Sequence, residues 1–174
     1  MWIKYILITL SFFIISIMQN SFLTYFGIMG ELPNLIFILF FILIFFEGSD
    51  TYFDGFFMAI IAGLFSDMFL PAYFGATIIS LIVVYFLKKF LMYFITENQS
   101  KYPVFYFISL FSVCFIVNRL ILYIISFFLQ LHFTFNSSII SSLIYNLVFA
   151  CISFYLYKKI YKKSDLSHQL RLFK

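Results

Sequence analysis

Apolar runs separated by short clusters of polar residues and helix breakers make up almost the whole chain. A transmembrane helix needs about 20 predominantly apolar residues, within a range of about 17–25. On that criterion the pattern predicts six spans, at 5–26, 33–46, 53–70, 72–91, 103–131 and 135–157. The second is short, so it is expected either to be buried by its neighbours or to sit against a thinned bilayer. The fifth is long enough to tilt. Only the turn around Pro71 divides the third from the fourth, which leaves a five-span division as the competing arrangement. Breakers fall between the runs: Gly27, Gly30 and Pro33, then Glu47, Gly48, Ser49 and Asp50, then Pro71 and Gly75, then 97–101 and Pro103. Asn136, Ser137 and Ser138 supply side-chain acceptors at the start of the sixth run, where a helix has amides without partners. Lys4 and the apolar stretch behind it imitate a signal peptide, but no small-residue cleavage site follows, so the segment is expected to be a retained first span.

Composition turns this pattern into a membrane assignment. The chain is 64% hydrophobic and 10% charged, with a mean hydropathy of +1.08, against about 45–50% and about 25% for soluble domains. A soluble fold of this length buries only part of its surface and cannot hide so much apolar area. The expected fold is an all-α membrane protein: one transmembrane domain over 1–157 and a basic cytoplasmic tail over 158–174. Aromatic residues make up 25% of the chain, mostly Phe, and that count alone defines no ligand site.

Orientation follows from Lys and Arg rather than from net charge. With the N-terminus inside and six spans, the inner segments hold Lys4, Lys88, Lys89, Lys101, Lys158, Lys159, Lys162, Lys163, Arg171 and Lys174, and Arg119 lies within a span. An odd number of spans would put either Lys4 or the tail outside. The acidic loop residues Glu47, Asp50 and Asp54 are also inside, which carboxylates tolerate. Both termini are therefore expected in the cytoplasm.

Chemistry is sparse. Cys114 and Cys151 fall in apolar runs and read as small buried hydrophobes. His132 and His168 are the two histidines, and no spacing of His, Cys and carboxylates suits a metal ion. No cofactor is expected. No Ser–His, Cys–His or paired-carboxylate arrangement points to an enzyme.

Three features stand out within this background. Gly55, Ala59, Gly63 and Asp67 recur every four residues along the third span and so share one helix face. Small residues at that spacing allow close backbone approach. Packing within the chain is the first reading of the stripe, and docking of a partner helix is the second. Asp67 and Arg119 are ionisable groups inside spans, where a charge costs about 2.5–3.5 kcal/mol on insertion scales. They are expected either to pair, with Gln19, Asn20, Asn118 or Asn146 as further partners, or to leave Asp67 facing water at the outer rim. Lys158, Lys159, Lys162 and Lys163 follow the last span and suit anchoring to anionic lipids of the inner leaflet. Leu166, Leu170 and Phe173 fall on one face of that tail. Nucleic acid is a poor partner for charges so close to a bilayer.

The ordered run Leu32-Pro33-Asn34, a short apolar span, a polar loop, Gly55, then Ala62-Gly63-Leu64-Phe65-Ser66-Asp67, Phe74-Gly75 and Tyr85 resembles the MreD family of rod shape-determining membrane proteins. That family opens its second span with Pro-Asp or Pro-Asn. It ends a Gly-rich third span in a G-x-x-x-D-like element, supplied here by Gly63 and Asp67, and follows it with a Leu-Gly-like pair, matched by Phe74-Gly75. The motifs cover about 32–85, and the remainder matches in hydropathy only. Asn34 stands where Asp is commoner, Arg119 has no counterpart among the family's signatures, and the second loop is unusually acidic.

The resemblance implies a non-enzymatic scaffold of cell-wall elongation in the bacterial inner membrane. Its partner would be an MreC-like single-span protein and, through it, MreB filaments, the RodA glycosyltransferase and a class B penicillin-binding protein. It also implies a fold similar to the six-helix substrate-binding subunits of energy-coupling-factor transporters. On that reading the stripe of Gly55, Ala59 and Gly63 contacts the MreC-like helix. The alternative is a vitamin- or metal-uptake subunit of the energy-coupling-factor type. Such subunits usually carry Ala-x-x-x-Ala in the first helix, and 5–26 contains no alanine. An ion or small-solute channel would need a polar ring on several spans.

Overall fold

The computed structural model describes residues 2–27, 32–46, 52–69, 74–95, 103–129 and 138–172. Within them lie six helices: α1 (Trp2–Ser21), α2 (Leu35–Phe46), α3 (Tyr52–Asp67), α4 (Ala76–Ile95), α5 (Pro103–Phe128) and α6 (Ser138–Leu172), with a 3-10 turn at Leu23–Phe26 after α1. The described residues contain no strand.

The sequence of α2, LIFILFFILIFF, has no polar side. A helix that is apolar all round belongs in an interior. Its 12 residues reach about 18 Å, short of a hydrocarbon core of about 30 Å. The structure accordingly places it at the centre. Ile36, Phe37, Ile38, Phe40, Phe41, Ile42, Ile44 and Phe45 are all buried. Helices α1, α3 and α6 pack directly against it, while α4 packs on α3 and α5, and α5 on α6. The surrounding helices thus follow one another as α1, α3, α4, α5, α6.

Four helices, α1, α4, α5 and α6, are long and apolar enough to cross a membrane. The six expected helices are present, and the short second one is buried by its neighbours. The 16 residues of α3 give about 24 Å, so α3 is a second short helix, placed beside α2 with Phe56 and Leu64 exposed. The outer faces of the long helices expose Ile6, Leu7, Ile79, Phe86, Ile116, Ile124, Ile144 and Ile152. So much exposed aliphatic and aromatic surface is tolerable only with lipid against it.

The α2–α5 contact is made by rings. Phe37, Phe41 and Phe45 face Phe115, Phe111 and Phe107 in antiparallel register. The edge-to-face pairs Phe37–Phe115, Phe41–Phe111 and Phe45–Phe107 have centroids 5.5, 5.2 and 5.1 Å apart. Phe at every fourth position on both helices keeps the rings on the facing sides. Such pairs contribute about 0.5–1.5 kcal/mol each beyond their buried area.

Two further boundaries differ from the sequence reading. Lys88 and Lys89 were assigned to an inner segment, but α4 continues to Ile95, which leaves them about 10 Å before its last residue. Lys88 is 3% exposed, and the Lys89 ammonium lies 5.5 Å from the Tyr85 ring centroid. Helix α6 runs through 35 residues without a break at Tyr157. The basic segment therefore begins as a direct extension of the last membrane helix. The Lys162 and Lys163 side chains lie outside the described ones, as do Glu47, Asp50, Pro71, Lys101, His132 and the expected cap at Asn136 and Ser137.

Candidate functional site

Both short helices and α4 have ends within the bundle, and a helix end carries backbone groups without intrahelical partners. In lipid each such group left unsatisfied costs several kcal/mol. The interior polar side chains answer this demand.

At the start of α2, Asn34 Oδ1 accepts the Phe37 N–H at 3.0 Å, the N-cap to N3 bond that Asn favours. The Ile36 N–H donates to Gln19 Oε1 of α1 at 3.2 Å. The Asn34 N–H donates to Asn146 Oδ1 of α6 at 2.6 Å. Three amides are thus held by side chains from three parts of the chain. Asn146 is held in turn, its Nδ2 donating to the Ser142 carbonyl at 2.8 Å. Arg119 Nη2 of α5 donates to Ser142 Oγ at 3.0 Å, and its guanidinium lies 5.4 Å from the Phe115 ring centroid.

At the start of α4, Asp67 accepts twice, from the Gly75 N–H at 2.8 Å and the Thr77 N–H at 3.3 Å. A carboxylate there also opposes the positive end of the α4 dipole. Gly75 has φ +96°, a left-handed conformation that glycine adopts without steric penalty. One turn further on, Ser80 Oγ donates to Asn118 Oδ1 of α5 at 2.6 Å. Ser16 Oγ of α1 donates to the Phe65 carbonyl near the end of α3 at 3.0 Å.

All of these residues lie toward one end of the bundle: the ends of α1 and α3, the starts of α2 and α4, the later half of α5 and the early part of α6. The result is a polar brace joining all six helices. The space among Asn34, Thr77, Leu81 and Asn118 has no volume for a water molecule (≈ 0 Å³), so the brace is solid.

The sequence-predicted residues fall as follows. Gly55, Ala59 and Gly63 are buried. A Cβ on Gly63 would stand 2.5 Å from the Ile78 Cα and 2.7 Å from the Ile78 N. At Gly63 the stripe is therefore occupied by α4 of the same chain, the first of its two readings. Asp67 is 1% exposed, so it does not face water at a rim. The Asp67–Arg119 ion pair is likewise corrected, because both Asp67 oxygens face α4 amides and Arg119 turns to α6. Gln19 and Asn146, named as possible partners for these charges, serve α2 instead. Lys158 and Lys159 are exposed on α6.

Sequence reasoning missed a contact at the opposite end. Lys4 Nζ lies 2.6 Å from Asp54 Oδ2, and the Tyr5 hydroxyl donates to Asp54 Oδ1. Helices α1 and α3 start on the same side, so their first turns meet, a signal available from the span pattern. Cys114 and Cys151 are separate thiols. Among the described residues no three His, Cys, Asp or Glu side chains are grouped as a metal ion requires.

No family model matches the chain, and no curated protein or solved structure is found similar to it.

Proposed function

We propose that this chain is a non-enzymatic scaffold of the cell-wall elongation machinery, an MreD-like protein of the bacterial inner membrane with both termini in the cytoplasm. One observation carries the reading. The residues that bear the family resemblance meet in the brace, and each acts on backbone: Asn34 caps α2, Gly63 admits α4, Asp67 caps α4, and Gly75 makes the turn between them. Residues used in this way fix a frame for other proteins to bind and leave no reactive group poised for a substrate.

The partner is an MreC-like single-span protein, linked onward to MreB, RodA and a class B penicillin-binding protein. With the Gly63 stripe filled, its helix meets another surface. Helix α1 is the least buried of the long helices. Its outer face carries Ile3, Leu7, Leu10, Ile14 and Ile17, all exposed, at the alternating three- and four-residue spacing of a two-helix seam.

The test is affinity purification of the tagged chain from its native membranes, with partners identified by mass spectrometry. We expect an MreC-like protein, lost when Leu7, Leu10 and Ile14 are changed to Ala while the chain still accumulates. Recovery of an ATP-binding-cassette module with a tightly held small molecule would overturn the scaffold in favour of the energy-coupling-factor reading.

A further inference from the structure

Near the lysine-bearing end, α5 and α6 separate to leave a groove of about 500 Å³. Its walls include Phe107 of α5 and Cys151, Phe154 and Tyr155 of α6, and Lys158 and Lys159 stand at its mouth. That volume lies within the range of about 300–1,000 Å³ typical of small-molecule sites. The floor is firm, because Phe107 and Phe154 are buried and their ring centroids are 4.5 Å apart. The side is open, because Tyr155 and Val104 at its edges are exposed. Positions 151, 154, 155, 158 and 159 share one face of α6. That face is therefore apolar for about 10 Å and then doubly cationic.

An apolar trough that opens sideways on a membrane helix and ends in two ammonium groups has the polarity of a phospholipid standing beside it. We propose that this groove is a binding site for one anionic glycerophospholipid. An acyl chain lies along Phe107, Cys151 and Phe154, and the phosphate is held by Lys158 and Lys159. A soluble phosphate compound would match the two charges and leave the apolar trough unfilled. The site differs from diffuse attraction to a basic tail in two respects. Lys158 and Lys159 matter more than Lys162 and Lys163, which carry the same charge a turn further along α6. The shape of the trough matters as well. The inference depends on the membrane assignment and is independent of the partner protein.

The test uses the purified full-length chain, stripped of lipid in detergent and titrated with phosphatidylglycerol or phosphatidylcholine, with bound lipid counted by native mass spectrometry. We expect one phosphatidylglycerol per chain and no saturable phosphatidylcholine. K158Q/K159Q should weaken binding roughly 30-fold, the value for two basic residues at a membrane surface. K162Q/K163Q should change it less than about 3-fold, well below that two-residue value. C151F, which fills the trough without altering charge, should also abolish saturable binding, and V104F does the same from the α5 side if C151F does not fold. Equal losses in the two lysine pairs, or undiminished binding in a folded trough-filling variant, would overturn the site and leave only diffuse electrostatics. Displacement of the lipid by millimolar inorganic phosphate would overturn the acyl-chain contribution.

Discussion

Gly63→Ala adds a single methyl group where α3 packs against α4. The new Cβ meets Ile78 at 2.5 Å from Cα, 2.7 Å from N and 2.7 Å from Cγ1. Ordinary carbon contacts lie at about 3.5–4.0 Å, so α3 and α4 must part by roughly 1 Å at this crossing. Overpacking of this kind costs about 1–3 kcal/mol. A second loss follows from the neighbouring brace. Asp67 holds the Gly75 and Thr77 amides at 2.8 and 3.3 Å, and a shift of about 1 Å takes both beyond hydrogen-bonding distance. A hydrogen bond to a charged group contributes about 1.5–3 kcal/mol, so with both bonds lost the whole effect is about 4–9 kcal/mol. The assay is unfolding of the purified protein in mixed micelles by added SDS, followed by helical circular dichroism. Ile78→Ala provides the discriminating control. It removes Cγ1 but leaves Cα and N, so the double variant should recover less than half of the loss. Wild-type stability of Gly63→Ala, or full rescue by Ile78→Ala, would refute a backbone-to-backbone approach.

Two other outcomes follow from the same geometry. Asp67→Ala and Arg119→Ala should be additive within about 0.5 kcal/mol, and the charge-swapped double variant should not restore accumulation. A coupling above about 1 kcal/mol in the mixed-micelle assay would restore the ion pair that the structure replaces. Phe41→Ala, at a fully buried position in contact with Phe107 and Phe111, should destabilise by about 3–5 kcal/mol. A loss below 1 kcal/mol would mean that the ring ladder does not join α2 to α5.

Much of this arrangement was legible because hydropathy and helix period act along the chain. The six helices, the burial of short α2 and the internal use of the small-residue stripe follow from run length, an all-apolar sequence and four-residue spacing. Partners across the bundle were not legible, because sequence gives the depth of a residue more readily than the rotation of its helix. Opposite charges at Asp67 and Arg119 suggested a pair, yet two nearby amides of α4 were better placed for the carboxylate. Part of the brace was readable locally: Asn34 stands directly before an apolar run, the position where Asn caps a helix. The Phe ladder was also present in the four-residue spacing of 37, 41, 45 and 107, 111, 115, but it was hidden by the sheer abundance of Phe. Lys88 and Lys89 lay near the end of the fourth run, and hydropathy alone did not show that α4 continues past them to Ile95.

The cap on α2 has a consequence for biogenesis. The Asn34 amide takes its partner from Asn146, 112 positions later in the chain, with Gln19 supplying the adjacent bond from α1. When α2 leaves the ribosome it is too short to cross the bilayer alone, and one of its amide partners has not yet been synthesised. The nascent chain must hold this helix at the insertion machinery, or at the surface of the membrane, until α6 is made. Assembly therefore ends with α6 closing against a helix that was translated near the beginning. A chain halted after α5 would present an uncapped amide to lipid, a defect that membrane quality-control proteases are suited to find.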